Sequence, residues 1–446
     1  MPPLPRRVGR VLTATLTATL LVGGLLAAGP ARAGNVATPG DFTGYGFDQC
    51  LAPSQKAMDR WLNYSPFLAV GIYISGDSRG CRTQPNLTRA WVRTQLAKGW
   101  RLLPITLGPQ ASCHPGFPRY GDDETIDPRR GAKGTYPRAR AQGAAEAGKS
   151  VTAAGALGLV AGSTLWYDLE GFDATNTACR ESALRFLSAW TRRLHALGYV
   201  SGVYSSAGSG IKVLDDARVE RPGAFELPDR IWIARWDGVA STSTSYIRPD
   251  GWLPGGRMKQ YQGGHDEVWG GVRINIDRNW LDLGKGSVAP PETHCDGTRV
   301  SFGLYQPLAP GSQRRAKVKA LKCLLQEKIG YAGGIDGTYG AGLVAAVNRW
   351  QSAHGLPVEE GWSTTAWMTL LADGGRPVLK VGSAGGDVRR LQRALNASSL
   401  ARLAVDGVFG TSTLTALRTW QRAAGLEVTG VLSARQWLAL QAGRGA

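Results

Sequence analysis

The sequence predicts an α/β chain: a (β/α)8 barrel of the TIM type, followed by two small all-α domains of three helices each. Three observations carry this. Eight short apolar runs alternate with helix-like stretches over about 250 residues, a rhythm that suits strands inside a ring of helices. A second segment repeats itself at a constant offset of 70 residues, with Asp336-Gly337, Trp350-Gln351 and Trp367 reappearing as Asp406-Gly407, Trp420-Gln421 and Trp437. Finally, 43% hydrophobic and 8% aromatic residues supply full cores and exclude a disordered polyelectrolyte.

The elements follow in chain order. Arg6, Arg7 and Arg10 precede an apolar stretch from Val11 to Ala28, and Ala31-Arg32-Ala33 follows it. A basic start, an apolar middle and a small-x-small end read as a secretory signal peptide over residues 1–33. The Arg6-Arg7 pair also permits twin-arginine export. No later apolar run reaches the length of a membrane span, so none is expected after cleavage.

The barrel is assigned to residues 41–285. Candidate strands are 45–48, 69–74, 101–107, 164–169, 200–204, 231–236, 258–262 and 274–277, with helices such as 86–98, 138–156 and 178–197 between them. Ala289-Pro290-Pro291 marks a linker over 286–298. The repeats then occupy 299–373 and 378–443. Apolar residues at i+3 and i+4 place helices at 317–328, 342–354 and 364–371, and at 387–396, 412–424 and 434–441. The Asp-Gly pairs make the tight turn before each second helix. Trp350, Trp367, Trp420 and Trp437 fall at helical spacing and read as core residues rather than sugar platforms.

Export makes the six cysteines legible as three disulfides. Cys295 and Cys323 lie apart from the others and are expected to pair. Cys50, Cys81, Cys113 and Cys179 allow three connectivities. With no CxxC and only five scattered histidines, no metal site and no cofactor are expected. The net charge is +18, and from Cys295 onward 18 basic residues face 9 acidic ones. Such a surface suits anionic wall polymers. No nucleic-acid-binding motif accompanies the charge, so no nucleic acid partner is expected.

In a barrel of this kind chemistry sits where strands end. Those ends carry Asp48, Asp168 with Glu170, Asp237 and Asp277. Asp168 and Glu170 are two apart, so strand alternation sends both to the mouth. Glycoside hydrolysis needs such a pair, one carboxyl to protonate the leaving oxygen and another to stabilise or attack the sugar cation. Crowding raises the proton affinity of one member.

Gly46-Phe47-Asp48, Trp166-Tyr167-Asp168-Leu169-Glu170, Ile231 to Trp236, Lys259-Gln260-Tyr261 and Asn275 to Asn279 resemble the successive strand-end motifs of family 25 lysozymes. Gly46 to Ser54 and Gly198 to Ser205 resemble, more closely, a glycoside-hydrolase-like domain of exported bacterial proteins related to those lysozymes. The resemblance implies that Glu170 is the general acid and that Asp168 stabilises the oxazolinium-like or oxocarbenium centre. It makes Asp48 and Asp277 flanking carboxylates, and it assigns Tyr204, Trp236, Asp237, Gln260 and Tyr261 to substrate binding.

The duplicated unit resembles peptidoglycan-binding domain 1. Its motif is kept in Asp406-Gly407-Val408-Phe409-Gly410-Thr411 and, without the hydroxyl residues, in Asp336-Gly337-Thr338-Tyr339-Gly340-Ala341. Together these imply a secreted, monomeric, wall-associated glycoside hydrolase acting on peptidoglycan or another wall glycan. The alternative is a catalytically silent protein that binds or remodels wall glycan.

Overall fold

The strand-forming runs are rich in Val, Ile, Trp and Tyr, which favour extended backbone and pack well on a pleated surface. In the computed structural model, which describes Met1 and residues 35–445, they form eight strands. These are β1 Thr43–Asp48, β2 Ala69–Ser75, β3 Arg101–Thr106, β4 Thr164–Asp168, β5 Val200–Ser206, β6 Arg230–Ala234, β7 Gly256–Trp269 and β8 Val272–Leu283. They close into one barrel in the order β1-β8-β7-β6-β5-β4-β3-β2. The expected signal peptide, apart from Met1, lies outside the described residues.

Strand and helix alternate as expected through the first five strands. The helices are α1 Gln55–Tyr64, α2 Arg89–Ala97, α3 Pro137–Leu157, α4 Thr177–Ala196 and α5 Lys212–Glu220. Side chains fix where three of them start: Ser54, Thr88 and Asn176 accept from the amides of Ala57, Trp91 and Cys179.

The last three strands depart from the repeat. Gly270 and Gly271, at φ 58° and 77°, make a two-residue hairpin turn between β7 and β8. Two residues cannot hold a crossover helix, so β8 returns antiparallel to β7 and meets β1 antiparallel as well. Asp277 therefore reaches the mouth from the middle of a long strand, directly opposite Asp48 in register.

Inside the barrel, Trp166 meets Trp232 edge-on at 5.6 Å, and Trp232 meets Tyr204 at 5.4 Å. Gly202 makes the space for Trp166, since a Cβ there would stand 2.4 Å from its ring. This aromatic layer closes the barrel below the acids.

The C-terminal helices are α6 Arg315–Ile329, α7 Ala341–Ala353 and α8 Thr364–Ala372, then α9 Gly386–Ala397, α10 Thr411–Ala423 and α11 Ala434–Gln441. They match the expected three-helix units to within two residues at each end. The two units share one apolar core. Trp350, Trp367, Trp420 and Trp437 are all buried in it. The repeated aspartates act alike: Asp336 Oδ1 accepts from the Thr338 amide at 2.7 Å and Asp406 Oδ1 from the Val408 amide at 2.8 Å. Cys295 pairs with Cys323, and of the three open connectivities the structure takes Cys50–Cys81 with Cys113–Cys179.

The second unit is docked on the barrel. Lys380, 1% exposed, donates to the carbonyls of Ser65 at 2.7 Å and Phe67 at 3.1 Å, and approaches that of Trp61 at 3.5 Å. Those carbonyls cluster at the C-terminus of α1, where the helix dipole favours a cation. Ser287 Oγ adds a bond to the Gly382 carbonyl at 2.8 Å.

Candidate active site at the barrel mouth

Strand alternation turns Asp48, Tyr73, Asp168, Tyr204, Gln260, Asp277 and Asn279 toward one another at one end of the barrel. Gly71 keeps the layer open, because a Cβ there would stand 2.5 Å from that of Asp48. A cleft of about 230 Å³ opens above, lined among others by Asp48, Tyr73, Arg79, Arg119, Glu170 and Asp277.

Gln260 organises one side. Its Oε1 accepts from Tyr204 Oη at 3.0 Å and Trp236 Nε1 at 2.9 Å. Two donors on the oxygen aim the amide nitrogen at the acids. That nitrogen donates to both oxygens of Asp48 at 3.3 Å and to Asp277 Oδ2 at 3.1 Å. Asn279 Nδ2 donates to Asp48 Oδ1 at 2.6 Å, and Asn279 Oδ1 accepts from Trp232 Nε1 at 2.8 Å.

On the other side Tyr73 Oη donates to Asp168 Oδ2 at 3.2 Å, while Asp168 Oδ1 is buried with no hydrogen-bond partner among the described residues. Gln110 clamps the main chain, donating to the Asp168 carbonyl at 2.7 Å and accepting from the Glu170 amide at 2.8 Å. Glu170 lies just past the end of β4, half-buried, and faces the cleft.

Burial dominates the electrostatics. It raises Asp48 to about 8, with Asp277 adding to the rise and Asn279 and Gln260 opposing it. Burial also lifts Asp277 to about 6, against His265 and the Gly264 amide. Asp168 is pushed well above the carboxylate range by burial and by Glu170, against Tyr73 and Arg119. Glu170 is raised by burial, and His114 and Arg119 pull it back. Desolvated carboxyls facing one another hold protons that isolated ones would lose.

The structure thus brings together Asp48, Asp168, Glu170, Asp277, Tyr204, Trp236 and Gln260. Trp236 is 66% exposed at the rim and lies flat on Gly263, where a Cβ would meet its ring at 2.2 Å. Two expected substrate contacts stand elsewhere. Tyr261, next to inward-facing Gln260, points out of the barrel and lines a separate groove with Tyr45, Trp269 and Arg278. Asp237 is taken up by Lys259 Nζ, 3.0 Å from each of its oxygens, and by Arg235 at 3.3 Å. Burial works to raise Asp237, but the Val239 amide and these cations outweigh it and leave it low.

Sequence reasoning left out Tyr73, Gln110, Asn279, Arg79 and Arg119. Asn279 was accessible to it, since a residue two from Asp277 shares its face. Tyr73 is the polar tip inside Ile72-Tyr73-Ile74. Arg79 and Arg119 come from loops and Gln110 from a strand of only two residues, Gln110–Ala111, so none of the three leaves a periodic signal.

Residues 59–281, half of the chain, match the family model described as the Rv2525c-like, glycoside hydrolase-like domain. Residues 314–361 and 384–440 match the peptidoglycan binding domain model. No curated protein matches the chain. Among solved structures, the Mycobacterium tuberculosis Tat-secreted protein Rv2525c, in complex with L-tartrate, is 13% identical, with 54% of this chain and 95% of that one covered and a TM-score of 0.34. A family 25 glycosyl hydrolase from Bacillus anthracis is 13% identical over 58% and 96%, at a TM-score of 0.33. The Clostridium perfringens spore cortex lytic enzyme SleM is 15% identical over 56% and 71%, at 0.35. With the family model on the barrel and the binding-domain model on each half of the duplication, the chain belongs to the Rv2525c-like, glycoside hydrolase-like family and carries two peptidoglycan binding repeats.

Proposed function

We propose that this protein is an exported, wall-associated glycoside hydrolase that cuts the glycan strands of peptidoglycan, with its repeats holding it on the wall. The observation that carries the reading is the gathering of Asp48, Asp168, Glu170 and Asp277 at one mouth, each with raised proton affinity. Glu170 suits the general acid. Its carboxyl faces the cleft, holds its proton more firmly than a free glutamate, and has a main chain fixed by Gln110. Asp168 is anchored by Tyr73 on one oxygen with the other unpartnered, and in its ionised form that free oxygen suits stabilisation of positive charge developing on the sugar. Asp48 and Asp277 share the Gln260 amide and tune the charge of the floor.

The test is digestion of purified peptidoglycan by the mature protein, with soluble products identified by mass spectrometry. Muropeptide release is expected, and Glu170→Gln is expected to slow it by about 100-fold to 10,000-fold. Equal release by the variant would remove Glu170 from the acid role. Absence of cleavage on any wall glycan, with binding retained, would instead favour a silent glycan-binding protein.

A further inference from the structure

The two copies of the repeat differ in the charge that opens their first helix. The first copy reads Arg314-Arg315-Ala316-Lys317-Val318-Lys319 where the second has Ala384-Gly385-Gly386-Asp387-Val388-Arg389. Helix α6 accordingly has no acidic residue in its first turn, and no side chain caps it. Cations at that end oppose the helix dipole. Arg314 with Lys317, and Arg315 with Lys319, also stand three and four residues apart, the spacing at which like charges repel across a helix face. Both effects weaken the helix.

These cations lack counter-charges. Arg314, Arg315 and Lys319 are exposed, and among the described residues none of them forms an ion pair. Arg299, exposed as well, lies over the Phe302 ring at 5.2 Å, and Lys317 approaches the same ring at 5.8 Å, so the segment before the helix extends the patch. Neither of these two meets a carboxylate either. Burial and the nearby Arg314 lower the proton affinity of Lys317. Three acids of the unit are engaged elsewhere: Asp336 by Lys322 at 2.8 Å, Asp373 by Lys328 at 3.0 Å and Glu327 by His294 at 3.0 Å. The second copy is an internal contrast. In α9, Arg390 pairs with Asp387 at 2.6 Å, Arg393 pairs with Glu292, and Arg389 donates to the Pro290 carbonyl at 2.6 Å. Those arginines serve the fold.

We infer that Arg299, Arg314, Arg315, Lys317 and Lys319 bind an anionic phosphodiester polymer of the wall, a chain of polyol phosphates, so that the first unit adds a grip that peptidoglycan itself does not supply. A phosphodiester keeps its negative charge across the pH range of a wall, and its oxygens match guanidinium forks. A flexible chain with one charge on every unit meets several of these cations together, and the contacts reinforce one another. The inference rests on the wall location in the proposed reading and is independent of cleavage.

Calorimetric titration of the mature protein with an oligomer of poly(glycerol phosphate) tests this, with neutral polyglycerol as the uncharged counterpart. The phosphate oligomer is expected to bind tighter by about tenfold or more, and to weaken as salt is raised. Arg315→Gln with Lys319→Gln removes two exposed charges while keeping good helix formers, and is expected to lower that affinity by about tenfold. Arg192→Gln with Arg193→Gln removes the same charge from exposed positions of α4 and is expected to leave it unchanged. Equal weakening by the two double variants would overturn the inference, because net charge alone would then be at work. So would an oligonucleotide of matched charge bound about tenfold more tightly than the polyol phosphate, which would mark a nucleic-acid surface. Cleavage of peptidoglycan without binding of the phosphate oligomer would end this inference and keep the hydrolase reading. Binding without cleavage of any wall glycan would do the reverse.

Discussion

Asp48 is a carboxyl buried at the barrel mouth, and its behaviour with pH follows from that. A group whose proton affinity is raised on folding contributes stability that is complete below its unfolded value and is lost as pH rises through its folded one. For Asp48 the window runs from 3.8 to about 8, and Asp277, raised to about 6, adds to the same decline. The wild-type melting temperature is therefore expected to fall between about pH 4 and about pH 8, and Asp48→Asn to fall less over that range. Parallel profiles for the two proteins would show that Asp48 does not titrate there. The acids themselves were legible in the sequence because each sits beside a strand whose apolar pattern is local. Their partners were less so, since Arg79 and Arg119 arrive from loops tied by Cys50–Cys81 and by Arg82, and Gln110 from a strand of only two residues. Tyr261 stands away from the cleft because alternation sends it and its neighbour Gln260 to opposite faces of β7, whereas Asp237, past the end of β6, is held by Lys259 and Arg235.

Among the elements, α6 is cross-linked to the segment before it. The bridge between Cys295 and Cys323 closes a loop across 28 residues. Replacing both by serine is expected to destabilise the repeat core by about 3 kcal/mol on the chain-entropy model. Denaturant titration followed by tryptophan fluorescence measures this, because that core holds Trp350, Trp362, Trp367, Trp420 and Trp437. An unchanged midpoint would contradict it. The helical repeats were readable almost residue for residue, since a duplicated pattern states its period twice. The antiparallel close of the barrel was readable in principle. Gly270-Gly271 between Val268-Trp269 and Val272 is a hairpin signal, and the expectation of a helix after every strand passed over it.

At the scale of the molecule, the barrel and the second repeat meet through a buried ammonium. Burial lowers the proton affinity of Lys380 well below its usual value, yet three main-chain carbonyls converge on it. Lys380→Met keeps the stem and removes the donors, leaving the Ser65 and Phe67 carbonyls unpaired at a cost of about 1–3 kcal/mol each. Cleavage by added protease between 285 and 315 is expected to quicken, and the radius of gyration from solution scattering to grow. If both stay at wild-type values, other contacts hold the junction.

A repeat fixed in this way differs from one on a loose tether. A tether lets its cargo sweep a volume, with an effective concentration that falls gently as the linker lengthens. A bolted repeat gives the cleft a single position relative to whatever the repeat grips. On the proposed activity, the molecule would work as a caliper: cuts would fall at a set distance from each anchoring point, and the released strands would cluster at a few lengths instead of spreading over many.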